Sequence, residues 1–468
     1  MRRYAQAMIK KILIFFSIFI FVYLGSLYVK AAQHISFYNA HVGCGAYYIS
    51  KRPLAVIKTQ EGHSDPLGIA WLDYILYQLS DFEIQPDQRF VSTFGGISTT
   101  VKYYPGFGCS QNLNLSLKAS SKTSDASLYF KRKHQAHIQS LIQKEVQQDS
   151  GTRALVVFKD QHVIGEYYDA YTSPTTPLLS WSMTKSVIAT LYAVLEQKQI
   201  LKRTSPVFAS QLSNLASNQV SNQASNHSSL KNQLTFEHLL THTDGFDFNE
   251  EYIPLSAFFD MLTANDIGHH ISQYTMQHTP GTVWRYSSAA SNLLAYKLIE
   301  TVQQKHNTPP SKRVHPGKLL DQLLLSKLKM NDSMISFDPQ GSLIGASLGF
   351  FSSEDWLKFA LMMLNGGQFE QQQIISQDFI QFALSPNQKQ GRFYYGAGWW
   401  INGISPSGER LKQGLPASLY QADGYQGQSL SIFPEHKLMI VRLGLTRGQT
   451  TWKNEIPFLQ SILQNAVD

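Results

Sequence analysis

Cysteine is nearly absent from this chain, since the 468 residues include only Cys44 and Cys109. No group of cysteines and histidines has the spacing of a metal site, so the sequence predicts no metal and no cofactor. In an oxidising compartment the two thiols are expected to form one disulfide that closes a long loop. The alternative is a pair of free, buried thiols.

A strong charge of one sign is also missing. The net charge of +7 is modest and spread along the chain, apart from the N-terminus and Lys131–Lys133. Basic residues do not alternate with aromatic ones, which argues against a nucleic-acid partner. The sequence does contain 43% hydrophobic and 12% aromatic residues, enough for a large buried core.

Long hydrophobic runs are rare, and the prominent one lies near the N-terminus. Residues 12–29 are apolar except for one glycine and two serines, and their 18 residues would form a helix of about 27 Å. Four basic residues precede the run, which favours a cytoplasmic N-terminus and an exported body. We therefore predict a signal peptide or membrane anchor over 1–33, with a cleavage site possible at 29–31 and an anchor preferred. The rest of the chain would lie on the periplasmic side of the cytoplasmic membrane, anchored or released.

Periodicity divides the remainder into a small and a large part. Residues 34–128 are predicted to form an N-terminal extension of short strands and turns, including 46–49 and 98–104, pinned by the disulfide. The large part, 129–468, begins and ends with a predicted hairpin and has helices between, which predicts an α+β fold with one antiparallel sheet. The Ser-Asn repeats within 212–230 predict a mobile surface insert.

Ser182-Met-Thr-Lys185 opens a strongly apolar helical stretch. Side chains three residues apart share a helix face, so the hydroxyl and the amine can meet. A serine beside an amine is the arrangement of an activated nucleophile. The motif alone is weak, because a second copy stands at Ser228–Lys231 and because serine is common at helix starts.

Three further motifs follow in a characteristic order: Leu239–Gly245, Pro280–Ser288 and Gly424–Gln428. Together with Ser182–Lys185 they resemble the serine β-lactamase-like and penicillin-binding-protein superfamily, nearest to its class C branch. Within that branch, a Phe-Asn-Glu-Glu-Tyr segment and paired tryptophans resemble 6-aminohexanoate-dimer hydrolases and carboxylesterase-like serine hydrolases. The resemblance runs from about residue 135 to the end and implies an antiparallel sheet with flanking helices and a helical lobe.

The resemblance also implies roles for individual residues. Ser182 would be the nucleophile, and Lys185 and Tyr286 would move its proton, with the choice of general base left open. The main-chain N–H groups of Ser182 and Tyr425 would form the oxyanion hole. The predicted substrate-binding residues are Tyr425, Ser288, Gly424, Tyr252 and Trp399, with Trp400 as a further wall candidate.

One motif departs from the superfamily pattern. Where Lys-Thr-Gly or His-x-Gly is usual on the strand beside the nucleophile, this chain has Ala422-Asp423-Gly424. The strand then supplies no cation for a substrate carboxylate, which argues against classical β-lactam or D,D-peptidase specificity.

The predicted function is that of a serine hydrolase that cleaves an ester or amide bond of a small molecule through an acyl-enzyme on Ser182. One alternative is a penicillin-recognising sensor or binding protein without turnover. Another is an α/β-hydrolase that uses Ser347 in Gly345–Gly349, with Asp423 and His436 as its partners. The oligomeric state stays open.

Overall fold

The computed structural model describes residues 2–61, 79–112, 117, 128–208, 229–305, 313–387, 390–446 and 452–467, with the backbone alone for 2–12 and 467. The helices span Arg2–Cys44 (α1), Leu54–Gln60 (α2), Ala136–Gln148 (α3), Thr184–Gln197 (α4), Phe236–Leu240 (α5), Ala257–Leu262 (α6), Ile267–Ser272 (α7), Ser288–Lys305 (α8), Pro316–Leu320 (α9), Ser353–Leu364 (α10), Gln377–Ala383 (α11) and Glu455–Val467 (α12).

The strands are mostly short and fall into two larger sheets and two small ones. They span Ser80–Gln85 (β1), Arg89–Phe94 (β2), Ile97–Tyr104 (β3), Gly108–Ser110 (β4), Lys131–Arg132 (β5), Thr152–Lys159 (β6), His162–Tyr168 (β7), Leu178–Leu179 (β8), Met334–Ile335 (β9), Gly349–Phe351 (β10), Gln368–Phe369 (β11), Gln372–Gln373 (β12), Trp400–Ile401 (β13), Tyr420–Gly424 (β14), Gln428–Phe433 (β15) and Leu438–Gly444 (β16).

The central sheet joins the two ends of the large part, as the sequence predicts. Its seven strands, within the described residues, lie in the order β13-β14-β15-β16-β6-β7-β5. The ladder is antiparallel except that β5 runs parallel to β7. Val441 of β16 lies opposite Val156 of β6. The last described strand therefore pairs with the first long strand of the large part. The predicted α+β fold with an antiparallel sheet is confirmed.

Both faces of this sheet are covered, because side chains alternate between the faces of each strand. Leu155 and Val157 pack with α3 and α12 in one core. Val156 and Phe158 belong to the larger core on the other face, which includes α4 and α10. Helix α4 is buried from Thr184 to Leu195, which explains its nearly continuous apolar sequence.

The N-terminal region differs from its prediction in one respect. Residues 46–49 were expected to form a strand, but they lie in a single π-helical turn, Gly45–Ile49, that continues α1. Aromatic and β-branched side chains favour strands locally, and here tertiary packing overrides that preference. An added Cβ at Gly45 would lie 2.0 Å from the Phe350 ring, so the close approach of this turn to β10 needs glycine. Residues 98–104 do form a strand, within β3.

The extension is closed by its own disulfide and attached to the large part by charged contacts. The predicted Cys44–Cys109 disulfide is present and links the end of α1 to β4. The buried Arg52 guanidinium lies 3.0 Å from an Asp169 carboxylate oxygen, and Arg153 lies 2.7 Å from Glu61. A buried charge is tolerated only when it is paired, so these contacts fix the two parts together.

Helix α1 has an exposed half and a buried half. Between Leu13 and Leu24 its large apolar side chains are 51% to 80% exposed, whereas Ala32 is fully buried. Within the described residues it is the one helix long and apolar enough to cross a membrane, by length and composition. Such a helix is compatible with either a signal sequence or an anchor. It runs without a break through residue 33, and the division of the chain at 33 and 128 stays a prediction.

Two local features follow their sequence patterns, and a third lies almost wholly outside the described residues. The hairpin turn between β6 and β7 forms at Asp160 and Gln161, which adopt φ values of 47° and 68°. Ser352 caps α10 by accepting a hydrogen bond from Asp355, as its sequence pattern predicts. The Ser/Asn-rich insert, 212–230, lies almost wholly outside the described residues.

Candidate active site

Ser182 lies in a tight turn at the entrance of the most buried helix. Trp181–Met183 form one 3-10 turn that leads directly into α4. Trp181 adopts a φ of 47°, a strained value for a bulky residue. Its indole N–H donates to Gln426 over 3.1 Å, and Ser180 is held by the indole N–H of Trp356 over 3.0 Å. The turn is therefore fixed by contacts from the Tyr425–Gly427 turn before β15 and from α10, and the Ser182 hydroxyl is presented to the cleft.

Lys185 lies one helical turn further on and reaches back to that hydroxyl. Its Nζ donates to Ser182 Oγ over 3.0 Å, to Ser288 Oγ over 3.0 Å and to the Ala346 carbonyl over 2.9 Å. Burial lowers the pKa of Lys185 from 10.5 to about 8, and the Glu250 carboxylate opposes that shift. An amine with this pKa is partly neutral near physiological pH and can accept a proton.

Glu250 is joined to Lys185 through Ser288. Ser288 donates its hydroxyl to one Glu250 oxygen over 2.5 Å and its main-chain N–H to the other over 2.7 Å. Tyr252 donates to the same carboxylate over 2.9 Å. Lys185, Ser288, Glu250 and Tyr252 thus form one continuous hydrogen-bonded chain beside Ser182. Every polar side chain in it has a partner, which favours a single arrangement.

Tyr286 lies just before α8 and lines the same cleft as Ser182. Burial raises its pKa well above 10, with further increases from Tyr395, Tyr252 and Glu250, while a hydrogen bond with Ser182 partly offsets them. Trp400 stacks on its ring at 5.3 Å, and Lys185 Nζ lies 4.8 Å from the ring centroid. The phenol therefore stays neutral and can donate a hydrogen bond.

His242 holds this tyrosine from behind. Its ring contacts Tyr286 edge-on at 5.1 Å and stacks on Tyr395 at 4.8 Å. Its Nδ1 accepts from the Ser287 N–H over 3.3 Å, so in the neutral form Nε2 donates to Ser291 over 3.0 Å. Burial lowers the histidine pKa well below 6.5. His242 is thus a neutral packing residue.

Strand β14 brings its end against the nucleophile turn. A Cβ on Gly424 would lie 2.4 Å from the Ser180 carbonyl oxygen, so only glycine permits this approach. Tyr425 follows directly and contacts Trp181 edge-on at 5.8 Å. The strand therefore ends where the main chain of Tyr425 and the hydroxyl of Ser182 border the same cleft.

The expectation of no cation at this strand needs a correction. Lys412, distant in sequence, lies with its Nζ 3.9 Å from Asp423 Oδ2 and 2.5 Å from Glu455. Burial raises the pKa of Asp423 to about 7, although Lys412 lowers it. The superfamily's cation is absent from the motif itself, but a lysine from the 411–412 segment reaches the same groove. Its position is set by folding and has no local sequence signal.

The cleft has two parts that meet at Ser182, Tyr252 and Tyr425. The open groove holds about 430 Å³ and is also lined by Tyr286, Trp400, Leu411, Lys412, Asp423 and Gly424. The apolar chamber holds about 40 Å³, and its further lining residues are Ile35, Tyr38, Trp181, Pro254, Phe258, Phe259, Ser288 and Ser347. The polar side of the nucleophile is therefore the wide one that carries the charged residues Glu250, Lys412 and Asp423, and the apolar side is narrow and lined mainly by aromatic and aliphatic side chains.

Comparison with known proteins decides the family. The model of the Beta-lactamase family matches residues 138–451, about two thirds of the chain. The chain belongs to the Beta-lactamase family. This membership supports serine hydrolase activity in general. The matched range includes Ser182, Lys185 and the polar residues around them described above. No curated protein sequence matches the chain significantly.

Solved structures of the Beta-lactamase fold agree with this assignment. A protein assigned as a 6-aminohexanoate-dimer hydrolase from Bacillus anthracis is 14% identical, with a TM-score of 0.53 over 72% of this chain and 87% of that one. A protein assigned as a beta-lactamase from Bacteroides dorei is 16% identical, with a TM-score of 0.53 over 70% and 97%. A penicillin-binding protein homologue from Caulobacter crescentus is 14% identical, with a TM-score of 0.50 over 71% and 98%. At these identities the likeness shows the shared fold.

Two predicted features lie elsewhere in this Beta-lactamase fold. Trp399 was expected in the pocket wall, but it is fully buried and stacks on Phe359 at 5.9 Å. Its neighbour Trp400, the first residue of β13, lines the cleft instead. The Gly345–Gly349 segment lies in a loop before β10 and does not join a strand directly to a helix. The α/β-hydrolase alternative therefore loses its structural context, although Ser347 does line the apolar chamber.

Sequence reasoning missed several residues of the cleft. Glu250 stands within the segment used for the family resemblance, yet nothing local distinguishes it from Glu251. Ile35 and Tyr38 belong to the N-terminal extension, outside the Beta-lactamase match. Apolar residues of a distant helix carry no chemical signature, so only the folded structure brings them to Ser182.

Proposed function

We propose that this protein hydrolyses an ester or amide bond through an acyl-enzyme on Ser182. The observation that carries the proposal is the 3.0 Å contact between Ser182 Oγ and a buried lysine whose pKa falls to about 8. A serine hydroxyl is a weak nucleophile until a nearby base accepts its proton. Lys185 meets both requirements, reach and basicity, without a metal ion.

Lys185 is the better candidate for the general base, and Tyr286 for the proton donor. Burial acts on the two groups in opposite directions, lowering the pKa of the amine and raising that of the phenol. A neutral amine beside a neutral phenol can take the proton of Ser182 and pass one to the leaving group. Glu250 and Ser288 hold the amine in place.

The reaction then has two balanced steps. The Ser182 oxygen bonds to the acyl carbon while its proton moves to Lys185, and the bond to the alcohol or amine breaks as Tyr286 supplies a proton. Lys185 restores the phenol proton. Water then adds to the acyl carbon, releases the acid and returns a proton to the Ser182 oxygen. The N–H groups of Ser182 and Tyr425 would stabilise the oxyanion, each by about 3 kcal/mol.

The groove chemistry favours an uncharged or amine-bearing leaving group over a carboxylate. Lys412 is already paired with Glu455 and Asp423, so the cluster offers no net positive charge. This agrees with an esterase or amidase and not with recognition of a β-lactam carboxylate. The structural neighbour assigned as a 6-aminohexanoate-dimer hydrolase is named for a linear amide substrate. Such amides are therefore included in the substrate panel.

A panel of soluble substrates tests the proposal. It comprises p-nitrophenyl butanoate, a 6-aminohexanoate dimer, a D-alanyl peptide and a chromogenic cephalosporin. Wild-type protein should hydrolyse an ester or amide with release of stoichiometric acid, and Ser182→Ala should not. Acylation by the cephalosporin without turnover of any panel member would instead establish a penicillin-binding sensor. Equal rates for wild type and Ser182→Ala would reject Ser182 as the nucleophile.

A further inference from the structure

One wall of the apolar chamber is built by the helix that carries the long apolar run. Ile35 and Tyr38 of α1 line the chamber beside Ser182. Residues 13–29 of the same helix bear most of the large exposed apolar side chains found in the described chain outside its core. A run of this length and a mean hydropathy of 2.0 suits a bilayer. One helix therefore carries both the candidate membrane segment and part of the chamber wall.

Specific contacts fix this helix against the chamber. Lys30 Nζ lies 2.7 Å from an Asp260 carboxylate oxygen, and His34 Nδ1 accepts from the Leu255 N–H over 3.1 Å. Tyr38 stacks on Trp181, the neighbour of the nucleophile, at 5.6 Å. Ile35 lies six positions after Val29, which corresponds to about 9 Å along a helix. That distance is comparable with one lipid headgroup layer, about 5–8 Å thick.

The rim of the chamber on this side is apolar as well. Ile253 is 43% exposed and Leu255 is 38% exposed, and they flank Pro254, which lines the chamber. The Leu255 contact with His34 places this segment beside α1, just past the exposed run. Exposed apolar residues next to a membrane helix are suited to the boundary between headgroups and acyl chains.

We infer that the substrate is a bilayer-resident lipid ester or amide, and that its acyl chain enters the chamber from the membrane side, between α1 and the 253–255 segment. The inference rests on the proposed function and specifies its substrate class. The chamber is narrow, with about 40 Å³ against about 430 Å³ for the open groove. The acyl chain enters this narrow space past the 253–255 segment, while the leaving group occupies the open groove.

The test uses the full-length protein in vesicles of phosphatidylethanolamine and phosphatidylglycerol. The probes are p-nitrophenyl palmitate embedded in the vesicles and p-nitrophenyl butanoate in the aqueous phase. Wild-type protein should prefer the palmitate by at least about tenfold in kcat/KM, the effect of burying two further methylene groups. Ser182→Ala should abolish both reactions.

Two variants and a matched control distinguish entry of an acyl chain from the membrane side from hydrolysis of dissolved esters. Ile35→Trp fills the chamber and should lower the palmitate-to-butanoate ratio at least about tenfold. The double variant Ile253→Ser/Leu255→Ser changes exposed positions that folding tolerates, and it should lower the same ratio about threefold or more. Leu128→Ser is the control, because Leu128 is equally exposed and lies beside Tyr129, away from α1, and its ratio should equal that of wild type.

The outcomes distinguish the two levels of inference. Hydrolysis of butanoate that depends on Ser182, with no preference for palmitate and no response to either variant, would overturn the lipid substrate and leave the proposed function intact. Absence of hydrolysis of both probes, with wild type and Ser182→Ala alike, would overturn the proposed function and this inference with it. A palmitate preference lost in Ile35→Trp and in the rim variant establishes entry from the membrane side.

Discussion

The two sides of Ser182 differ in both chemistry and origin. On the polar side, Lys185, Ser288 and Glu250 form a hydrogen-bonded set, Tyr286 faces Ser182, and all of them lie within the Beta-lactamase match. On the apolar side, the chamber wall includes residues of α1, which precedes that match. The residues proposed for the reaction thus belong to the matched family region, whereas the shape of the chamber depends on an element outside that match. Changes on the polar side should therefore affect turnover, and changes on the apolar side should affect substrate choice.

The largest effect is expected from loss of the amine on the polar side. Lys185→Ala should lower kcat at least about a thousandfold, because the Ser182 hydroxyl then lacks a base. Stopped-flow or steady-state rates with p-nitrophenyl butanoate measure it. Ser347→Ala is the matched control, because it removes a polar group that lines the apolar chamber, and its kcat should fall less than about tenfold. Comparable losses of kcat in both variants would contradict the assignment of turnover to the polar side and of substrate choice to the apolar side.

The next effect concerns the phenol. Tyr286→Phe keeps the stacking on Trp400 and removes only the hydroxyl, so the expected loss in kcat is about a hundredfold, the usual range for general acid–base catalysis. The loss should be smaller for substrates with good leaving groups, which need less protonation. An equal loss for p-nitrophenyl and for alkyl esters would remove Tyr286 from the proton transfer.

The pH dependence follows from the same polar side. Lys185 must be neutral to accept a proton, and its pKa is about 8. Activity should therefore rise with pH, reach half of its plateau near pH 8 and fall about tenfold per pH unit well below that value. The kcat/KM profile of wild type from pH 6 to about pH 10 measures this. A profile that is flat across that range would show that the amine is not the base.

The smallest effect on rate is expected from the disulfide, which anchors α1 on the apolar side. With a sequence separation of 65, the loop-closure model assigns it about 4 kcal/mol of stability. Cys44→Ala/Cys109→Ala should lower the free energy of unfolding in urea by up to that amount. In the folded protein, butanoate turnover should fall only a few-fold, with a larger decrease in the palmitate-to-butanoate ratio. A preserved ratio would show that α1 holds its place without the crosslink.

The polar side was largely predictable from sequence, because its residues carry chemical signatures at fixed spacing. Ser182 and Lys185 are one turn apart on a helix, and Tyr286 and Ser288 stand in one short motif. The hairpins at β6–β7 and β15–β16 followed from alternation, so the sheet that joins both ends was predictable as well. Their catalytic roles remain predictions until the variants are measured.

Other features were not predictable, for physical reasons that differ from residue to residue. Ile35 and Tyr38 are ordinary apolar residues, and only tertiary packing brings them to the nucleophile. Trp399 and Trp400 are adjacent and alike, and the parity that turns one inward and the other to the cleft depends on the strand register of β13. At Gly45–Ile49, burial of α1 against its neighbours outweighs a local strand preference.

Covalent labelling gives the most direct test of the central claim that Ser182 is a nucleophile activated by Lys185. The protein is treated with a fluorophosphonate at several pH values, digested, and mapped by mass spectrometry. The label should lie on the peptide containing Ser182, form faster as the pH rises through about 8, and be nearly absent in Lys185→Ala. A label on Ser347 with Ser182 unmodified, or labelling of Ser182 that persists unchanged in Lys185→Ala, would contradict the claim.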